Sequence, residues 1–201
     1  GPVRLAVAET QPDLGFRVTA KVVGDVPAGA GLEALLNVHG QGRCAITLDP
    51  RDRLPGQQPY QSVVPLHGDR REPLQKLSEV LEHYMLQSEQ LDTRLVLAAN
   101  DEVAAGLLVQ RLPVTGAANL AGELLVSADE DQIGGNEDYN RIAHLAATLT
   151  RDELLTLDVD TILHRLFWEE KLLRFEPQQG EQGPRFACSC SRERVGRMLE
   201  S

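Results

Sequence analysis

Cysteine is scarce in this chain, with three in 201 residues: Cys44, Cys188 and Cys190. So few thiols build no disulfide framework of the kind small secreted domains need. No apolar run reaches membrane-spanning length, and no signal-peptide pattern opens the chain. Reduced cysteines and no secretion signal point to a cytoplasmic setting without membrane contact. Positive charge is also short, with 20 Lys and Arg against 30 Asp and Glu and a net charge of −10. That balance opposes a phosphate backbone and excludes a general nucleic-acid binder. A starting Met is missing too, and Gly1-Pro2-Val3 runs straight into a strand pattern, so the chain reads as a piece of a longer protein, cut at both ends.

Catalytic signatures are equally sparse. Gly29-Ala30-Gly31 has no following Gly-Lys-Ser/Thr and belongs to no G-x-G-x-x-G, so it reads as a turn rather than a phosphate loop. Asp129, Glu130 and Asp131 resemble a calcium loop only in charge, because Ile133 takes a ligand position and Asn140 stands where the closing Glu belongs. The five histidines are scattered, without H-E-x-x-H, and no serine sits in a G-x-S-x-G elbow. No acid, base and nucleophile assemble, and the chain reads as a non-enzyme.

What is present is a globular composition, 42% hydrophobic and 25% charged. At 22.1 kDa it is enough for one sizeable core. Val3, Leu5 and Val7 alternate, Pro12-Asp13-Leu14-Gly15 turns, and Phe16, Val18, Ala20 and Val22 alternate again, which predicts an antiparallel pair. Short strands are expected at 35–38, 44–48 and 60–66, making the opening third a β-meander. Pro73 then starts a helix whose stripe is Leu74, Leu77, Leu81 and Tyr84, ending near Leu91. Residues 93–98 and 106–112 read as strands. The order predicts an α+β fold, a β-sheet core with a long packed helix.

From 114 to 136 the composition turns to Gly, Ala, Asn, Asp and Glu, a loop or linker. Beyond it lie helical stripes at Ile142, Leu145 and Leu149 and at Ile162, Leu163, Leu166 and Phe167, with a capping box at Thr150-Arg151-Asp152-Glu153. Residues 173–175 look β-like before a Gly/Gln-rich hinge. The expected organisation is a core over 1–113, a helical linker over 114–180, and the start of a small domain over 181–201.

That last stretch carries the most specific signal. Cys188 and Cys190 are two apart, so an extended backbone points both sulfurs to one side. Such a pair suits a soft tetrahedral cation such as zinc, whose structural sites take four Cys or His ligands. Arg192 and Arg194 nearby favour thiolates, while Ser191 with Val195, Met198 and Leu199 reads as a capped helix start. Cys44 lies in an alternating strand and reads as a small buried hydrophobe.

The run FACSCSRERV, residues 186–195, resembles the zinc-binding redox switch of the bacterial thirty-three-kilodalton heat-shock holdases. GPVRLAV at 1–7, GQQPYQSVV at 56–64, YMLQSEQLDT at 84–93, ELL at 153–155 and WEE at 168–170 resemble further segments of that family. The resemblance implies a redox-regulated, ATP-independent chaperone that holds unfolding client proteins, a homodimer when active. It implies that Cys188 and Cys190 are two of four zinc ligands in the reduced protein and form a redox-active disulfide on oxidation. The family's further C-x-x-C is not in this sequence, so zinc is expected to bind this chain weakly or not at all unless two copies share an ion. No client-binding residue is assignable from sequence. The competing expectation is an α+β protein- or ligand-binding domain without chaperone activity, for which the C-x-C is incidental.

Overall fold

The computed structural model describes residues 1–50, 52, 54, 56–112, 134–176, 178, 180 and 183–188. The fold is α+β. The chain divides into two compact units, Gly1–Gly29 together with Leu173–Ser201, and Ala30–Leu172.

In the first unit, β1 (Val3–Thr10) and β2 (Gly15–Val22) form the expected antiparallel hairpin, with Glu9 opposite Arg17 and Ala8 opposite Val18. A third strand, β7 (Arg185–Phe186), pairs in parallel with Gly15 and Phe16. Leu173 and Phe175 lie in no strand and are 82% and 89% exposed. The β-like run expected there does not form, and the strand at Arg185–Phe186 is one that the sequence pattern did not mark. The hairpin alternation was local and legible; the partner strand comes from the far end of the sequence.

The second unit opens differently from expectation. Residues 35–38 do not form a strand, because Leu32–Leu36 is a short helix, α1, ended by Asn37. Its sequence LEALL consists of strong helix formers, and that local propensity wins over the brief apolar run. The Asn37 side chain, in a residue only 5% exposed, donates to the Leu66 carbonyl at 3.1 Å and accepts from the Gly42 amide at 2.7 Å. No meander forms: β3 (Arg43–Leu48) and β4 (Tyr60–Pro65) pair with each other in a sheet separate from the hairpin. About twenty residues with Gly24, Pro27, Gly29 and α1 separate β2 from β3, far more than a hairpin connection uses.

The long helix, α2 (Leu77–Glu89), starts four residues later than Pro73 suggested. Leu74 instead bonds from its amide to the Leu66 carbonyl, and Pro73 forms a bridge with His67. The buried face runs through Ser78, Val80 and Tyr84, while Leu77 is 54% exposed. Val80 and Tyr84 pack with Val64, Leu66, Ile46 and Cys44, so one core lies between α2 and the β3–β4 sheet.

The other core belongs to β5 (Thr93–Ala99) and β6 (Ala104–Gln110), covered on one face by α3 (Glu137–Ala147), α4 (Arg151–Thr156) and α5 (Val159–Phe167). Ala146, Leu149, Leu154, Ile162, Leu166 and Phe167 pack on Val96, Ala98, Ala105, Leu107 and Val109, which alternate along the two strands as a sheet face requires. Each fully buried large side chain here contributes about 1.5–3 kcal/mol. The capping box forms as expected: Thr150 accepts from the Glu153 amide at 3.3 Å, and Glu153 reaches back to the Thr150 amide at 2.9 Å. Most of the expected 114–136 loop lies outside the described residues.

Candidate functional site

The candidate site is where the cysteine run meets the hairpin. The turn before β2 is closed by its own sequence, as Gln11 donates to the Gly15 carbonyl at 2.7 Å and Leu14 to the Gln11 carbonyl at 2.9 Å. Asp13 accepts from the Gly15 amide at 3.2 Å. Arg185 donates to both the Asp13 carbonyl and its carboxylate, each at 2.6 Å. The Gly15 amide, and then the Arg185 charge, hold the Asp13 carboxyl below the usual carboxylate range. Two ladder bonds seat β7: Arg185 amide to Leu14 carbonyl at 3.2 Å, and Ala187 amide to Phe16 carbonyl at 2.9 Å. Gly15 is needed for this approach, since a Cβ there would stand 2.8 Å from the Ala187 Cβ. Ordinary contact requires more.

One residue past Ala187, Cys188 is exposed at the rim of the hairpin. Arg17 Nη1 lies 3.8 Å from its Sγ, within reach of a weak N–H to sulfur bond. The guanidinium is oriented by a fork to Glu9 across the β1–β2 pair, at 2.5 and 2.8 Å. A cationic donor at that sulfur stabilises negative charge on it, and Glu9 offsets part of the effect. Thiolates are the forms that ligate metals and react with oxidants.

Cys190, its neighbours Arg192 and Arg194, and the helix start expected at Ser191 lie outside the described residues. Cys44 sits half-buried in β3, within the second unit, and packs into the α2 core. Burial pushes its thiol pKa up, as a small buried hydrophobe would have it. Among the described residues no three His, Cys, Asp or Glu side chains cluster closely enough to hold a metal ion. A closed tetrahedral zinc site takes four protein ligands; of the two expected from this chain, Cys188 is described and Cys190 is not.

Sequence reasoning singled out Cys188 but not Arg17, Glu9, Asp13 or Arg185. Their partners stand up to 172 residues apart, and no motif marks a charged residue on a hairpin. The only local hint was the Pro-Asp-Leu-Gly turn. The same hairpin also exposes apolar side chains, with Phe16 at 42%, Val18 at 67%, Val22 at 51% and Phe186 at 75%. Among the described residues no helix is long and apolar enough to cross a membrane.

Known proteins share this sequence along its length. The 33 kDa chaperonin of Chromobacterium violaceum is 42% identical over 199 residues, which is 99% of this chain and 57% of that protein. The 33 kDa chaperonin of Methylobacillus flagellatus is 39% identical, again over 99% of this chain and 57% of the relative. This chain thus spans little more than half the length of the relatives it matches. A solved 33 kDa chaperonin (heat shock protein 33 homolog) from Thermotoga maritima superposes with a TM-score of 0.63, covering 99% of this chain and 60% of that one. At 20% identity that likeness speaks to the fold alone. A family model described as Hsp33 protein matches residues 1–201, end to end, and with these relatives it establishes that the chain belongs to the Hsp33 family.

Proposed function

We propose that this chain is part of an ATP-independent holdase that binds non-native polypeptides, and that oxidation of Cys188 and Cys190 turns binding on. The observation carrying the reading is the position of Cys188. It is an exposed thiol, held two residues beyond a strand that docks on the hairpin. A chemical event at that sulfur is thereby linked to the seating of β7. Family membership over the whole chain and relatives named as 33 kDa chaperonins support the same reading.

The gate is a two-electron oxidation. Two thiols and one peroxide give one disulfide and two waters, with the thiol protons passing to the peroxide oxygens. Cys188 and Cys190 are the proposed pair. They are also proposed as two of the four ligands of a zinc ion in the reduced, full-length protein, the other two coming from outside this chain or from a second copy. Residues 1–113 act as the core, 114–180 as the linker, and 181–201 as the beginning of the switch. The active form is a cytoplasmic homodimer that takes unfolding proteins as partners, without nucleic acid, membrane or turnover.

Light scattering of a heat-unfolding client, with the chain present and with or without peroxide, tests this. Suppression only after oxidation supports the gate. Suppression in both conditions means a holdase whose gate is not made by this chain alone. No suppression in either leaves a binding domain without chaperone activity.

A further inference from the structure

Strand β2 has two edges with different fates. One is paired with β1 from Phe16, opposite Thr10, to Val22, opposite Val3. The other meets β7 at Gly15 and Phe16 only. The Phe16 carbonyl accepts from Ala187, so Phe16 turns its main chain away from β1. By the period of two, Val18, Ala20 and Val22 turn theirs the same way. Among the described residues no strand pairs with β2 beyond Phe16. The side chains of Val18 and Val22 are 67% and 51% exposed, and Ala20 is exposed as well.

A row of outward amides and carbonyls flanked by exposed β-branched residues is a template for another extended chain. Of the usual defences, GFRVTAKV has two cations, Arg17 and Lys21, which alternate with Val18, Ala20 and Val22 and so lie on the opposite face. It has no proline, and the bulge of the hairpin lies on β1, between Val3 and Leu5. β7 is itself a sample of what the edge accepts. It is a short extended segment joined by main-chain bonds, with Phe186 set beside Phe16.

We infer that the open edge of β2, residues 18–22, is a docking site for an extended segment of a non-native polypeptide, added as a further strand. Main-chain pairing reads no sequence, while the exposed valines reward apolar side chains at alternate positions. Both traits suit a binder of unfolded chains, so the inference deepens the holdase reading and rests on it. A native protein pairs most of its extended segments internally and blunts the edges that remain, so it offers few such segments.

Site-resolved amide exchange of the chain, in reduced and peroxide-treated form, tests this with reduced carboxymethylated lactalbumin as the unfolded probe. On adding probe, the amides of Val18, Ala20 and Val22 should slow by about tenfold or more, while Arg17, Thr19 and Lys21, already bonded to β1, should not change. Fluorescence anisotropy with labelled probe should show about tenfold weaker binding for Ala20→Pro, which deletes one outward amide, and binding within about twofold for Ala20→Ser. Circular dichroism checks that both variants fold, and the exchange measurement needs neither. Equal binding by both variants, with client aggregation still suppressed, overturns the edge site and leaves the holdase reading intact. Protection of these three amides before probe is added overturns it in favour of the chain's own residues beyond Cys188. A dimer dispersed by Ala20→Pro in sedimentation, with probe binding unchanged, overturns it in favour of a second copy. Absence of probe binding in either redox form overturns both the site and the holdase reading.

Discussion

Removing the Asp92 carboxylate should destabilise the second unit more than any surface change. Asp92 is 8% exposed and its partner Arg111 is 13% exposed at the side chain. Arg111 Nε donates to Asp92 Oδ2 at 3.0 Å, and the Gly134 amide donates to both carboxylate oxygens at 3.1 and 3.2 Å. The Arg111 amide also bonds to the Asp92 carbonyl at 3.0 Å. One buried carboxylate thus ties the end of β6 to Gly134, just before Asn136 caps α3 by accepting from the Tyr139 amide at 2.7 Å. Breaking one side of a buried pair costs about 3–5 kcal/mol, because the other charge stays buried. Arg111 makes further interactions, which places Asp92→Ala near the lower end, about 3 kcal/mol. Asp92→Asn keeps an acceptor for Gly134 but loses the charge pairing, and should cost about 2 kcal/mol. Replacing both partners, as Asp92→Leu with Arg111→Met, should recover to within about 1 kcal/mol of the parent. Urea unfolding followed by circular dichroism reads these differences from midpoint and slope. A loss below about 1 kcal/mol for Asp92→Ala, or a double variant no better than the single one, would refute the argument.

Iodoacetamide at neutral pH should label exposed Cys188 before Cys44, whose thiol pKa is raised by burial, and peptide mapping that finds Cys44 modified first would contradict this. Gly15→Ala should unseat β7, since its Cβ would press on that of Ala187, and the Ala187 amide should then exchange at the rate of an unstructured residue. The carboxyls of Glu153 and Asp158 are held below the usual range, Glu153 first by the Thr150 amide and Asp158 first by the Thr161 hydroxyl. Their stabilisation is complete above the ordinary carboxylate range and is lost as pH falls through the lowered folded values, so α4 and α5 should fray in acid. Thr150→Ala, costing about 1 kcal/mol, should shift that fraying to higher pH in far-ultraviolet circular dichroism.

The hairpin, the strands of the second unit, the capping box at Thr150 and the helical stripe of α5 were all legible, because each is written in spacing over a few residues. The reading failed where local patterns competed. LEALL is apolar enough for a strand, yet its propensities make α1. Leu77 fitted the α2 stripe by spacing, but the helix begins there, and Val80 and Tyr84 carry the packing. The Cys188 half of the candidate site was visible as a spacing of two. Its surroundings were not, since Arg17 and Glu9 are ordinary charged residues until β7 brings the cysteine to them.

By itself the sequence determined the class of the chain: an acidic α+β composition, with two thiols spaced as C-x-C and segments resembling those of a holdase family. Periodicity and residue chemistry act between near neighbours, so they need no third dimension. Only the tertiary structure decided that Arg185 and Phe186 pair with the first hairpin, that Asp92 fastens Gly134 to the end of β6, and that among the described residues β7 meets β2 at Gly15 and Phe16 only. Those features arise from contacts between residues as many as 172 positions apart, whose loop-closure cost is repaid only when the whole unit folds.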